Sequence, residues 1–124
     1  MELKELTKAE EEVMQILWKS GKGFVKDLLE KFPDPKPAYN TVSTIIRILE
    51  TKGFVDHKAF GKTHEYYPLV SKEEYSEFIM RSMMKDYFGN SFKKMVSFFA
   101  KNNKLSLKEL DEMMKEIKKE QHDK

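Results

Sequence analysis

The sequence predicts a mainly α-helical protein with one small antiparallel β-hairpin. Three observations lead to this fold class. Capping boxes, in which Ser or Thr is followed three residues later by Glu, begin at Thr7, Ser71 and Ser106. Apolar side chains recur at helical spacing before Gly53 and after Ser71. Only the stretch between those two residues changes to a strand pattern, with a glycine turn in its middle.

Composition restricts the class of protein further. The chain is 40% hydrophobic and 35% charged, a balance typical of a folded, soluble protein. No apolar run approaches the roughly 20 residues that span a bilayer, and residues 1–12 are too charged for a signal peptide. The absence of cysteine excludes disulfides and thiolate metal sites. We therefore expect a cytoplasmic protein with no direct membrane insertion.

The first helices are separated by glycines and prolines. A helix beginning after Thr7 is predicted to end at Gly21, and a short extended piece at Phe24 leads into a second helix that stops before Pro33. Pro33, Pro35 and Pro37 then form a turn. Pro37 suits the start of a third helix, where its missing N–H has no consequence.

The third helix, about residues 38–51, has two unlike faces. One is an apolar stripe of Val42, Ile45, Ile46 and Leu49. The other carries Asn40, Ser43, Thr44, Arg47 and Thr51. Ser, Thr and Asn are weaker helix formers than the Glu and Lys of ordinary solvent-exposed faces. The pattern therefore favours a face presented to a ligand, although an ordinary solvated surface remains the alternative.

The segment after Gly53 completes a recognisable order of elements. Residues 54–60 and 64–69 alternate as two strands, with Gly61, Lys62 and Thr63 at the tip. Three helices followed by a hairpin are typical of a winged helix-turn-helix domain, whose third helix enters the DNA major groove. Residues 36–64 contain five Lys and Arg against two acids. The predicted DNA contacts are Asn40, Thr41, Ser43, Thr44, Arg47, Lys58, Lys62 and His64.

The segment from Ser71 is helical, with breaks predicted at Gly89-Asn90 and at Asn102-Asn103. Three short helices with large apolar faces cannot bury one another, so a second copy of the chain is expected to cover them. The predicted dimerisation residues are Ile79, Met83, Met95, Phe98, Phe99, Leu110, Met113, Met114 and Ile117. The expected division is a DNA-binding domain over residues 1–70 and a helical dimerisation region over 71–124.

The sequence gives little support for catalysis or for a metal site. His57 and His64 could face each other across the hairpin, but the only acids beside them in sequence are Asp56 and Glu65. Glycine-rich phosphate loops and nucleophile motifs are also lacking. We expect no enzyme, no metal site and no cofactor. Two alternatives to a repressor remain: a protein-interaction module with a Met-rich groove, and a regulator that senses a small molecule.

Several segments together resemble one protein family. They are Leu-Thr-Lys-Ala-Glu at 6–10, Val-Met-Gln-Ile-Leu-Trp at 13–18, Thr-Val-Ser-Thr-Ile-Ile-Arg-Ile-Leu at 41–49, Lys-Gly at 52–53, Tyr-Tyr-Pro at 66–68 and Phe-Phe-Ala-Lys-Asn at 98–102. In order and spacing the chain is similar to the penicillinase and methicillin-resistance repressors of the BlaI/MecI type.

The resemblance implies a dimeric winged-helix repressor on a dyad-symmetric, double-stranded DNA operator. It also implies relief of repression by proteolysis in the dimer region, triggered by a membrane sensor. The matching bond here joins Phe98 and Phe99, where better-known members have Asn before Phe. Copper-responsive relatives carry a C-terminal cysteine motif that this chain lacks. Asn40 and Ser43 replace longer basic side chains of the resistance repressors, which implies a different operator.

Overall fold

The structure, a computed structural model, describes residues 3–102 and 106–122, with side chains up to residue 120. The chain divides into two compact units, residues 1–79 and 80–124. The boundary between the units lies after Ile79, whereas the sequence predicts a domain boundary after Val70.

The first unit contains three helices where the sequence predicts them. They are α1, Lys8–Ser20, α2, Val25–Glu30, and α3, Tyr39–Thr51. The Thr7–Glu10 capping box is present in both directions, with the Glu10 N–H donating to Thr7 Oγ1 and the Thr7 N–H donating to Glu10 Oε1. Gly21 ends α1 with a φ of 84°, a conformation that favours glycine.

The predicted hairpin is part of a three-stranded antiparallel sheet. Strands β1, Gly23–Phe24, β2, Val55–Phe60, and β3, Thr63–Pro68, lie in the order β1-β3-β2. His57 pairs with Tyr66, and Ala59 pairs with His64. Gly61, with a φ of 63°, and Lys62 connect β2 to β3, so the tip is one residue shorter than expected. The pairing of β1 with β3 ties α2 to the hairpin.

The core lies between α1, α3 and the sheet. Three residues of the predicted α3 stripe, Val42, Ile46 and Leu49, are completely buried, and Ile45 packs against them half-buried. Residues beyond β3 extend the same core, since Val70 and Tyr75 are also buried. The Tyr75 hydroxyl accepts a 2.9 Å hydrogen bond from the Leu6 N–H. Burial raises the pKa of Tyr75, although this hydrogen bond opposes the shift.

A buried ion pair connects α1 to the end of α3. Lys52 Nζ donates to Glu10 Oε1 at 2.8 Å, and the Glu10 side chain is 6% exposed. Burial by itself would raise the pKa of Glu10. The hydrogen bonds from Lys52 and Thr7 and the lysine charge outweigh burial, so the Glu10 pKa lies below its ordinary value.

Helix α4, Lys72–Phe88, follows the first unit's sheet, and helices α5, Phe92–Asn102, and α6, Leu107–His122, belong to the second unit. Ser71, Ser91 and Ser106 each accept a hydrogen bond from the N–H three residues on. The predicted break at Gly89 and Asn90 is present, and both residues have positive φ. Helix α5 ends at Asn102, while Asn103 lies outside the described residues. Among the helices described, none is long and apolar enough to cross a membrane.

Candidate nucleic-acid interface

Helix α3 presents its polar face outward because its opposite face is fixed in the core. Asn40, Thr41, Thr44 and Arg47 are exposed, and Ser43 is half-buried. Thr51, on the same face, donates its hydroxyl hydrogen back to the Arg47 carbonyl of the helix. The face is therefore available to an external hydrogen-bonding partner.

One groove brings together residues from β1, α2, α3 and the β2–β3 hairpin. Arg47 and Ser43 of α3 line it from one side, and Lys62 and His64 of the hairpin line it from the other. The remaining lining residues are Phe24, Val25, Lys26, Asp27, Tyr39, Thr63 and Tyr66. Four of the eight predicted DNA contacts thus lie around a single surface, called the α3–hairpin groove below.

The other four predicted contacts lie elsewhere on the same elements. Thr44 lines a second depression together with Arg47. Asn40 and Thr41 are exposed on the first turn of α3. Side chains alternate along β2, and Ala59 pairs with His64, so Lys58 lies on the opposite side of the hairpin from His64. Its Nζ is 5.3 Å from the centre of the Phe60 ring.

Tyr39 and Lys26 are among the groove residues that the sequence does not predict. Tyr39 is 52% exposed and precedes Ser43 by four positions, so helical spacing alone could have included it in the polar face. Lys26 comes from α2, and no local pattern places α2 beside the hairpin. Both side chains add to the polar lining of the α3–hairpin groove.

A hydrogen-bonded cluster joins the last turn of α3 to β2. His57 Nδ1 lies 2.6 Å from Glu50 Oε2, and the His57 and His64 rings stack with centroids 4.0 Å apart. The sequence suggests Asp56 and Glu65 as acidic neighbours, but it gives no sign of Glu50. Burial, followed by the negative charge of Glu50, raises the pKa of the adjacent Tyr66, while Arg47 opposes the shift.

None of the nine predicted dimerisation residues is buried in the single chain. Phe98 is 50% exposed, and Phe99 is 40% exposed. Met83, Met113, Met114 and Ile117 are similarly exposed, whereas Met95 and Leu110 are half-buried. Ile79 differs because it packs against the core of the first unit.

Comparison with known proteins decides the family. The family model described as penicillinase repressor matches residues 6–119 of this chain. The chain belongs to the penicillinase repressor family. This membership confirms the resemblance seen in the sequence. Because the family consists of transcriptional repressors, it also confirms that the chain is not an enzyme.

Individual relatives match over most of their length. The methicillin resistance regulatory protein MecI of Staphylococcus aureus (strain N315) is 28% identical over 110 residues, which cover 88% of this chain and 89% of MecI. The penicillinase repressor of Bacillus licheniformis is 24% identical over 110 residues, covering 88% of this chain and 86% of that protein.

A solved structure supports the fold. The solution structure of the DNA-binding domain of the repressor BlaI superposes with a TM-score of 0.52 at 23% identity, covering 60% of this chain and 92% of that domain. The predicted fold class, mainly helical with a winged helix-turn-helix domain, is confirmed.

Proposed function

We propose that this chain is a cytoplasmic, homodimeric transcriptional repressor that binds a dyad-symmetric DNA operator. The observation that carries the proposal is the α3–hairpin groove, which sets Arg47 and Ser43 of the third helix opposite Lys62 and His64 of the wing. The similarity to MecI, a methicillin resistance regulatory protein, and to the penicillinase repressor of Bacillus licheniformis supports the same function.

Two elements, α3 and the wing, are proposed to recognise the DNA in different ways. Arg47, Asn40 and Thr44 are exposed on α3, where guanidinium and amide groups can pair with guanine and adenine edges in the major groove. Lys62 lies at the tip of the wing, where an ammonium group suits a phosphate. The helix therefore supplies sequence specificity, and the wing supplies affinity for any duplex.

The exposed apolar side chains of α4, α5 and α6 support dimerisation. In a single chain, six of the predicted dimerisation residues leave 40% or more of their surface exposed. Burying apolar surface stabilises by about 25 cal/mol per Å² removed from water, which favours covering these faces with a second copy. A dimer would place two α3 helices on half-sites about one helical turn apart, roughly 34 Å.

Relief of repression is proposed to act through loss of the dimer. Phe98 and Phe99 lie within α5, and the centroids of their rings are 5.7 Å apart in an edge-to-face arrangement. Cleavage of the bond between them, in a pathway begun by a membrane sensor, would cut this helix and separate the DNA-binding unit from α6. The second half-site contact would then no longer be intramolecular, and operator affinity would fall.

Selection of DNA from a random duplex library by the purified full chain tests the proposal directly. We expect sequencing to show an inverted repeat whose half-sites are separated by about one helical turn. Enrichment of a single, non-repeated site would contradict the dimeric arrangement, and no enrichment would contradict a DNA-binding repressor.

The exposed methionines at positions 83, 113 and 114 favour the second candidate, a protein-interaction module. A salt titration distinguishes the two. Binding to DNA weakens steeply as salt rises because counterions are released from the phosphates, whereas an apolar protein interface responds little.

A further inference from the structure

A cluster of possible ligand atoms lies where α3 meets β2. Single ligand atoms of Glu50, Asp56 and His57 all lie within 4.8 Å of one another. Glu50 is in the last turn of α3, and the other two residues are near the start of β2. The sequence predicts no metal site, since it offers only Asp56 and Glu65 as neighbouring acids; the fold brings Glu50 to His57.

We propose that Glu50, Asp56 and His57 form a binding site for a divalent transition metal, with Zn²⁺ as the fitting ion. Neighbouring ligands of a tetrahedral zinc ion are roughly 3.3 Å apart, as follows from Zn–ligand distances of about 2.0–2.1 Å. His57 Nδ1 is 2.6 Å from Glu50 Oε2 and 4.0 Å from Asp56 Oδ1, so the observed distances bracket that spacing.

The donor set selects the class of metal. An imidazole nitrogen with two carboxylate oxygens suits Zn²⁺, whereas Mg²⁺ and Ca²⁺ prefer oxygen donors alone. Binding would place a cation between His57 Nδ1 and the carboxylates of Glu50 and Asp56, and would balance the charge of two acids that lie close together. With three protein ligands, the fourth tetrahedral position is left to water.

Neighbouring contacts hold the ligands in place. The backbone N–H of His57 donates to Asp56 Oδ1 at 2.8 Å, which holds that oxygen 4.0 Å from His57 Nδ1. The His64 ring lies nearly parallel to the His57 ring, at an angle of 8°, and fixes its orientation. Glu50 and His57 side chains are only 29% and 28% exposed, while Asp56, at 51%, leaves an entry path from solvent. Such outer contacts commonly determine metal affinity.

Titration of the untagged full chain with Co²⁺, followed by competition with Zn²⁺, tests the site. The work should be done at neutral or slightly alkaline pH, because metal ligands must be deprotonated. We expect saturation at one Co²⁺ per chain, with visible absorption bands of a four- or five-coordinate ion that Zn²⁺ abolishes. Zn²⁺ should also raise the thermal midpoint, because it binds the folded state. Absence of saturable binding would overturn the proposal.

Variants identify the ligands. His57→Gln and Glu50→Gln should each weaken Zn²⁺ binding at least ten-fold. Asp56→Asn, which replaces a half-exposed carboxylate with an amide of the same shape, should do the same. His122→Gln is the matched control and should bind as the unaltered chain does. His64→Phe keeps an aromatic stack without ring nitrogens and should retain binding. Unchanged affinity in His57→Gln, or loss of binding in His122→Gln, would show that the metal binds elsewhere.

Discussion

The two units of this protein treat their apolar side chains differently. In the first unit, Phe54, Met14 and Leu17 are completely buried within a single chain. In the second, none of the described residues is buried, although Tyr87, Phe92 and Leu107 are large and more than half exposed. The first unit buries its own apolar side chains, whereas the second leaves large apolar side chains exposed in the single chain. We therefore expect substitutions in the two units to have different effects on folding, dimerisation and DNA binding.

The largest effect is expected from a charge placed in the second unit. Phe99→Asp would force an unpaired carboxylate into the proposed dimer interface, at a cost on the order of several kcal/mol. We expect sedimentation to show monomers and operator affinity to fall by about 10²-fold, because bivalency is lost.

A matched control for this charge lies on the same helix. Ser97→Asp introduces the same charge at an exposed position of α5 and should leave the dimer intact. Full operator affinity in a monomeric Phe99→Asp protein would refute the link between dimerisation and repression.

The next effect compares the same deletion in the two units. Phe54→Ala removes a completely buried ring and should destabilise the first unit by about 3–5 kcal/mol in a denaturant titration. Phe98→Ala removes a ring that is half exposed in the single chain, so it should act mainly on the monomer–dimer equilibrium. Equal effects on first-unit unfolding would contradict the contrast between a self-contained core and a partner-dependent face.

A smaller effect concerns function on the surface of the first unit. Arg47→Ala should weaken operator binding by about 1–3 kcal/mol without changing the circular dichroism spectrum, since Arg47 is exposed in the α3–hairpin groove. Lys62→Ala should weaken binding to all duplexes and reduce the salt dependence, as expected for a phosphate contact.

Lys19→Ala, on an exposed part of α1, provides the control for loss of one positive charge and should change neither quantity. If Arg47→Ala leaves operator affinity unchanged, the polar face of α3 is not the surface that binds DNA.

Local features of this fold were predictable, and distant pairings were not. The capping boxes at Thr7 and Ser71, the α3 stripe and the hairpin are each specified within a few neighbouring residues. The contact between Leu6 and Tyr75 joins residues 69 positions apart, and no periodicity announces it. Tyr75 was not predictable as a core residue for the same reason. Glu50 and His57 are only seven positions apart, but their contact depends on how the chain turns between α3 and β2, which the sequence pattern does not specify. The exposed polar face of α3 was predictable because residues three and four positions apart lie on the same face of a helix.

The smallest effect concerns Glu10, the one acid that is buried among the described residues of the first unit. Its carboxylate is held by Lys52 and Thr7, so its pKa in the folded chain lies below the value in the unfolded chain. A depressed pKa contributes stability that is fully present above the ordinary glutamate pKa of about 4.3 and is lost as pH falls through the folded pKa. We expect the free energy of unfolding to drop in this acidic range for the unaltered chain.

Glu10→Gln isolates this contribution. The amide oxygen can still accept the Thr7 N–H, but the ion pair with Lys52 is lost, at a cost of about 1 kcal/mol near neutral pH. Because glutamine does not titrate, the variant should lose less stability than the unaltered chain between about pH 5 and pH 3, and the two curves should converge at low pH. Glu12→Gln, at an exposed position of the same helix, should follow the unaltered chain. Parallel curves for Glu10→Gln and the unaltered chain would show that the Glu10–Lys52 pair does not stabilise the first unit.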